Sequence, residues 1–328
     1  MKIIVDAFGG DHAPMEILKG CAMAVEEYGC EILLTGDETI IRNVAAEHKI
    51  SLASMEIVHA PGVILMTDHA DAVIKTKKDS SLAVALRLLS ENRGNALVSA
   101  GSTGAVVMGG TLLVKRIKGI KRPALAPVMP NADGNFMLID CGANVECRPE
   151  MLVQFAHMGS VYMERVMGYK NPRVGLANVG VEETKGDELR LKTYELLKNS
   201  KLNFVGNVEA RDIPGNAAEV IVTDGFTGNI ILKLYEGVAA QFMSKVKGVM
   251  AKSLKTKLAA AVIMKEMRQM KKEVDYDEYG GAALMGTAKP VFKAHGSSKA
   301  RTFKNAIRLA AAYAEGDVVG EIEKALAE

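Results

Sequence analysis

Six short apolar runs in this chain each break off into a loop that mixes glycine with Asp, Asn or Ser. Residues 3–5 run into 6–11 (DAFGGD), 96–98 into 99–104 (SAGSTG) and 136–139 into 140–144 (DCGAN). Residues 174–177 run into 178–180 (NVG), 220–222 into 223–229 (TDGFTGN) and 291–292 into 294–298 (AHGSS). Buried parallel strands read as continuous apolar runs, and open α/β sheets bind ligands at the carboxyl ends of their strands. Glycine lets backbone N–H groups approach an anion, and a following helix adds its positive end. The pattern predicts a mostly parallel α/β sheet with an anion-binding crevice.

Between these runs, strands and helices alternate, which places helices on both faces of the sheet. Helices are expected over 14–28, 80–89, 103–118, 149–167, 187–197 and 230–250, with further strands at 32–35, 55–58 and 203–205. Residues 122–129 and 136–140 flank the polar turn 131–134, so one hairpin inserts antiparallel pairing. With neither a repeat nor a low-complexity linker, 1–328 reads as a single α/β domain.

One segment, 238–275, reads as a helical excursion from that domain. Residues 252–272 carry seven Lys or Arg against one acid, Glu266, around the apolar stretch 258–264. A basic amphipathic element suits a membrane surface or an acidic partner, and equally a buried helix with its charges in water.

Composition narrows the rest. A net charge of +2 gives no argument for nucleic acid, so any electrostatic partner must meet a local patch. Cys21, Cys30, Cys141 and Cys147 show no metal or disulfide spacing and read as thiols of a reducing cytoplasm. The first residues read as a strand, with no leader pattern, and no apolar stretch approaches the ~20 residues of a spanning helix. No Rossmann glycine fingerprint, P-loop, nucleophile elbow or zinc spacing occurs.

Asn, Asp, Lys, His, Ser and backbone amides remain to do chemistry. Such groups hold phosphate and stabilise an oxyanion without a covalent nucleophile. Lys185 lies between glycines with acids nearby, as an active group or in a solvated loop. Asn229 opens a long helix, as a converging donor or as its cap. His12 and His295 sit in glycine loops, in catalytic or structural roles. Asp6, Asp11 and Asp140 lack a fixed metal-ligand spacing, and neither metal nor cofactor is expected.

Eight ordered segments together resemble the bacterial phosphate acyltransferases: 5–14 (VDAFGGDHAP), 99–105 (SAGSTGA), 140–144 (DCGAN), 178–186 (NVGVEETKG), 206–212 (GNVEARD), 223–237 (TDGFTGNIILKLYEG), 280–283 (GGAA) and 295–298 (HGSS). They span nearly the full chain. Phe8, Ser102 and Cys141 stand where that family usually has Met, Asn and Val, and Ser102 replaces an amide that could bond a substrate.

The resemblance implies a three-layer α/β/α fold akin to isocitrate dehydrogenase and phosphotransacetylase, with a protruding helical element. It implies transfer of a long-chain acyl group from acyl carrier protein to inorganic phosphate for phospholipid synthesis, by direct attack of phosphate on the thioester. Lys185 and Asn229 are then the catalytic pair. Asp6, Gly10, Asp11, His12, Ser99, Gly101, Ser102, Thr103, Gly104, Asp140, Asn144, Asp224, Thr227, Gly228, His295, Gly296 and Ser297 bind substrate or phosphate.

In the basic excursion, Lys255, Lys257, Lys265, Arg268 and Lys271 would dock acyl carrier protein, while Leu258, Val262 and Ile263 would touch a membrane. A homodimer at the inner face of the membrane, in contact with a downstream glycerol-3-phosphate acyltransferase, is the implied setting. The alternatives are a phosphotransacetylase-like enzyme acting on short-chain acyl-CoA, a β-decarboxylating dehydrogenase on the related fold, and a non-catalytic scaffold binding acyl carrier protein.

Overall fold

The computed structural model describes residues 1–273 and 279–327, with only the backbone described at 268 and 271–273. The amino-terminal part alternates as β1 (Lys2–Asp6), α1 (Met15–Tyr28), β2 (Glu31–Gly36), α2 (Glu38–Glu47), β3 (Met55–His59), α3 (Ser81–Ser90), β4 (Ala96–Ser99) and α4 (Thr103–Gly109). The middle continues as β5 (Ala124–Asn131), β6 (Gly134–Ile139), α5 (Pro149–Arg165), β7 (Val174–Asn178), α6 (Glu188–Lys198), β8 (Phe204–Glu209) and β9 (Val220–Val222). Three consecutive helices follow: α7 (Gly225–Ala251), α8 (Leu254–Val262) and α9 (Met264–Glu273). The chain then returns through β10 (Ala282–Met285) and β11 (Val291–Lys293) to α10 (Ala300–Glu315) and α11 (Val318–Ala327).

All these strands join one sheet, in the order β3-β2-β1-β4-β11-β10-β5-β6-β9-β7-β8. Pairing is parallel in β3-β2-β1-β4-β11 and again in β6-β9-β7-β8. Only β11-β10-β5-β6 pairs antiparallel. The hairpin expected at 131–134 is present, with Asn131 opposite Gly134. β10 was not anticipated: its four residues, two of them Ala, carry little strand propensity of their own. It forms because β5 and β11 offer open edges on both sides.

Side-chain alternation along the strands separates the two faces. Ile3, Val5, Met137 and Ile139 join the large cluster under α1, α5 and α10. On the opposite face, Ile4 packs with residues of α3 and α4, while Phe136 and Leu138 meet Leu232 and Tyr235 of α7. The result is the three-layer arrangement expected from the sequence.

Helix starts follow local chemistry. Asp37, Ser80, Asp187 and Asp224 each accept a backbone N–H three residues on, as caps do. The cap of α7 is thus Asp224, and Asn229 lies inside the helix. Helices α2, α10 and α11 are not among those expected from the sequence, and one expected helix is shorter. The one predicted over 103–118 stops at Gly109, passes into a π turn at Gly110–Val114, and leaves with Lys115 at φ +72°. The basic segment is not one helix: Ser253 and Thr256 form a capping box that starts α8 afresh, and Ile263 separates it from α9. No helix among the described residues is long and apolar enough to cross a membrane.

Candidate active site

The antiparallel insert divides the two parallel halves of the sheet, and a cavity of about 390 Å³ opens across it. Leu125, Pro127, Val128 and Met129 of β5, with Leu232 of α7, make an apolar wall. Thr103 and Gly104 of α4, Asn229 of α7, Lys293 at the end of β11, and His295 supply the polar side. Of the residues singled out from the sequence, Thr103, Gly104, Asn229 and His295 are brought together here.

Others stand beside the cavity and build its frame. Asp6 is buried at the end of β1, where Ser99 Oγ donates to its Oδ2 at 2.7 Å and the Phe8 N–H to its Oδ1 at 3.3 Å. Burial pushes the Asp6 carboxyl above its ordinary range, against the pull of those donors. The Gly101 N–H in turn donates to Ser99 Oγ at 3.0 Å. Gly10 has φ +98°, and the next residue, Asp11, donates its N–H to the Gly296 carbonyl at 2.8 Å. That bond ties the loop after β1 to the loop after β11. His12, Asp11 and Ser297 are exposed on these loops, and Ser102 precedes α4 without a side-chain cap bond. His295 Nδ1 lies 2.8 Å from Ser297 Oγ and 3.3 Å from the Ser297 backbone nitrogen, which holds the ring against its own loop.

Across the cavity, Asp140 is buried and organises the loop after β6. Its Oδ1 accepts from the N–H groups of Leu125 and Ala143, at 2.9 and 3.1 Å. Burial raises its pKa while these donors resist. Gly142 adopts φ +108°, and a Cβ there would touch the Asn229 side chain at 3.6 Å. Gly228 packs so closely on the Asp140 carbonyl that any side chain would collide with it. Gly228 therefore seats α7, and with it Asn229, against the sheet.

Asp224 and Thr227 lie apart from the cavity. They border a cleft with Cys147, Phe226 and Arg190, where Arg190 pairs with Asp224. Burial opposes ionisation of Asp224, but Thr227 and Arg190 outweigh it and hold its pKa below the usual range. Lys185 is exposed on the loop after β7, where its backbone carbonyl accepts from Asn178 Nδ2 at 3.0 Å; it does not line the cavity.

Four charged or titratable wall residues are not singled out by the sequence. Lys233 and Glu236 lie on α7 beyond Asn229, Tyr279 precedes Gly280, and Lys293 ends β11; none stands in a glycine loop after an apolar run, the signal that marks the other candidates.

Residues 1–320 match the family described as fatty acid synthesis protein. A phosphate acyltransferase of Clostridium perfringens is 47% identical over 99% of this chain and 96% of its own. One from Clostridium novyi is 45% identical over 98% of both chains. This chain belongs to the phosphate acyltransferase family. The enzyme shares its fold with a phosphotransacetylase from Streptococcus pyogenes, at TM-score 0.64 and 17% identity over 96% of this chain and 94% of that one. As a family member it is an acyltransferase of fatty acid and phospholipid synthesis. Its expected α/β/α architecture agrees with the solved neighbour.

Proposed function

We propose that the enzyme transfers a long-chain acyl group from acyl carrier protein to inorganic phosphate. The observation that carries this reading is a single cavity with an apolar wall, Leu125 to Met129 and Leu232, facing a polar side that holds Asn229 and His295. An acyl chain suits the first and a reacting thioester the second.

A phosphate oxygen attacks the thioester carbonyl carbon, the C–S bond breaks, and the proton carried by hydrogen phosphate leaves with the pantetheine thiol. No enzyme nucleophile is required. Orientation of the two reactants accounts for roughly 7–11 kcal/mol. The Asn229 amide donates to the developing oxyanion, a contact worth about 3 kcal/mol. Lys185 is assigned on family resemblance to add positive charge, and His12 and the glycine loops to hold phosphate and pantetheine.

Partner surfaces belong to the same reading. Lys255, Lys257 and Lys265 are exposed on α8 and α9 and suit an acidic carrier protein; the side chains of Arg268 and Lys271 lie outside the described residues. Leu254, Leu258 and Val262, spaced by four on α8, are 75%, 63% and 82% exposed, with Ile263 beside them. They suit the interfacial layer of a membrane, where a greasy, water-labile product would pass to the next acyltransferase. Ile230, Leu234, Val238 and Phe242 form an exposed stripe along α7 that a second copy would cover in a homodimer.

The test is thiol release from palmitoyl-acyl carrier protein with and without phosphate, beside acetyl-CoA. Release that requires both phosphate and the long-chain carrier is expected. Release from acetyl-CoA alone would move the enzyme to short-chain chemistry, and carrier binding without release would make it a scaffold.

A further inference from the structure

The structure assigns to Lys293 the role of the cation that holds inorganic phosphate in the cavity, an inference that rests on the acyl-to-phosphate reading above. Among the described residues, Lys293 is the only lysine or arginine that is buried. It is also a wall of the cavity that contains Asn229. Sheet register explains its position. Lys293 pairs with Ser99 on β4 and with Ala282 on β10, and β1 runs parallel to β4 so that Asp6 stands beside Ser99. Asp6, Ser99 and Lys293 thus form one polar row across three adjacent strands. Two residues back along β11, Val291 packs with Ile4, Leu97 and Leu284 in an apolar layer beneath that row.

The amine has little in the protein to satisfy it. Nζ donates to the Ala294 carbonyl at 2.5 Å, leaving two of its three N–H bonds, and among the described residues it forms no ion pair. Asp6 and Asp11 act on it only from a distance; burial outweighs them and lowers its pKa to about 8. A buried ammonium with donors to spare needs an anion, and an incoming phosphate dianion would supply one. Other charged or titratable walls of the cavity are His295, Glu236, Tyr279 and Lys233; Lys233 is exposed. Held by Lys293, phosphate would sit in the cavity that also contains the Asn229 amide.

A phosphate group reaches this site from one of two sources, free inorganic phosphate or the phosphodiester of phosphopantetheine. Lys293→Met keeps the length of the side chain and removes its charge. The expected result is a KM for inorganic phosphate raised by about tenfold or more, as for loss of a charge-assisted hydrogen bond. The KM for acyl carrier protein substrate should stay within about twofold. An unchanged phosphate KM, or a rise confined to the carrier substrate, overturns the inference. Wild-type thiol release that does not require phosphate refutes the underlying reading and is seen without any variant.

A second measurement needs no mutation. Brief acetylation of the native enzyme with acetic anhydride, read by peptide mass spectrometry, should modify Lys293, and inorganic phosphate should protect it. Equal labelling with and without phosphate overturns the inference. So does no labelling in either condition, since the amine would then not open to the cavity.

Discussion

Asn144 donates twice to a single oxygen of Asp140, through its backbone N–H at 2.6 Å and its side-chain amide at 2.9 Å. The same side chain also donates to the Pro123 carbonyl at 2.8 Å, so the loop after β6 is pinned to the segment before β5. With the two donors to the other oxygen, this carboxylate closes one side of the site.

Asp140→Asn should therefore destabilise the protein. Either orientation of the new amide aims its NH₂ at two backbone or side-chain donors. Buried donors left unpaired cost about 1–3 kcal/mol each, so a loss of about 2–6 kcal/mol is expected. Urea unfolding would measure it, and an unchanged midpoint would show that the loop is held otherwise.

Asn229→Ala removes the amide from the cavity without touching the cap of α7, which is Asp224. Turnover should fall by about 10²–10³, with unfolding free energy changed by less than about 1 kcal/mol. Lys185→Ala should lower turnover by about tenfold or more with the fold unchanged, as expected for loss of a charge-assisted contact. Normal turnover in either folded variant removes that residue from the mechanism.

Glu219 and Arg173 make a bidentate contact, with the Arg173 N–H adding a bond of 2.6 Å to Glu219 Oε2. Burial works against the Glu219 charge, yet Arg173 prevails and its pKa lies below the ordinary value. The sign follows: the pair stabilises fully above the unfolded pKa of about 4.3 and is lost as pH falls through the lower folded value. With Arg173 partly in water, Glu219→Gln should cost about 1–2 kcal/mol at neutral pH. That gap should close on acidification, and unfolding curves that keep it at low pH would contradict the assignment.

Val262→Asp places a charge at the most exposed apolar position of α8. Cosedimentation with anionic phospholipid vesicles should weaken by about tenfold or more, while activity in solution stays near normal. Unchanged cosedimentation would argue against membrane contact.

Phe242→Asp interrupts the apolar stripe of α7. Analytical ultracentrifugation should show wild type as a dimer and the variant shifted to monomer, because a charge in an apolar contact costs several kcal/mol. A monomeric wild type would refute the dimer.

Strand and loop positions were largely legible because they depend on neighbours in sequence. Continuous Val, Ile and Leu runs bury themselves on both faces wherever a parallel sheet forms, and glycine loops follow from the turns at strand ends. The caps at Asp37, Ser80 and Asp187 are equally local. Family motifs spaced through the chain were legible for the same reason, and Asn229, in one of them, lies on a cavity wall.

Burial across the sheet was not legible. Lys293, at the end of a three-residue strand, reads locally as a charge turning toward water. Only the pairing of β11 with β4 and β10 encloses it beside Ser99 and Asp6. Residues 282–285 form a strand only because β5 and β11 flank them. Nor does the motif around Asn229 reveal that Gly228 is there to let α7 approach Asp140. The sequence alone determined the class of fold and the family. Tertiary structure decided which polar groups share one cavity, because desolvation and close approach depend on residues far apart in the chain.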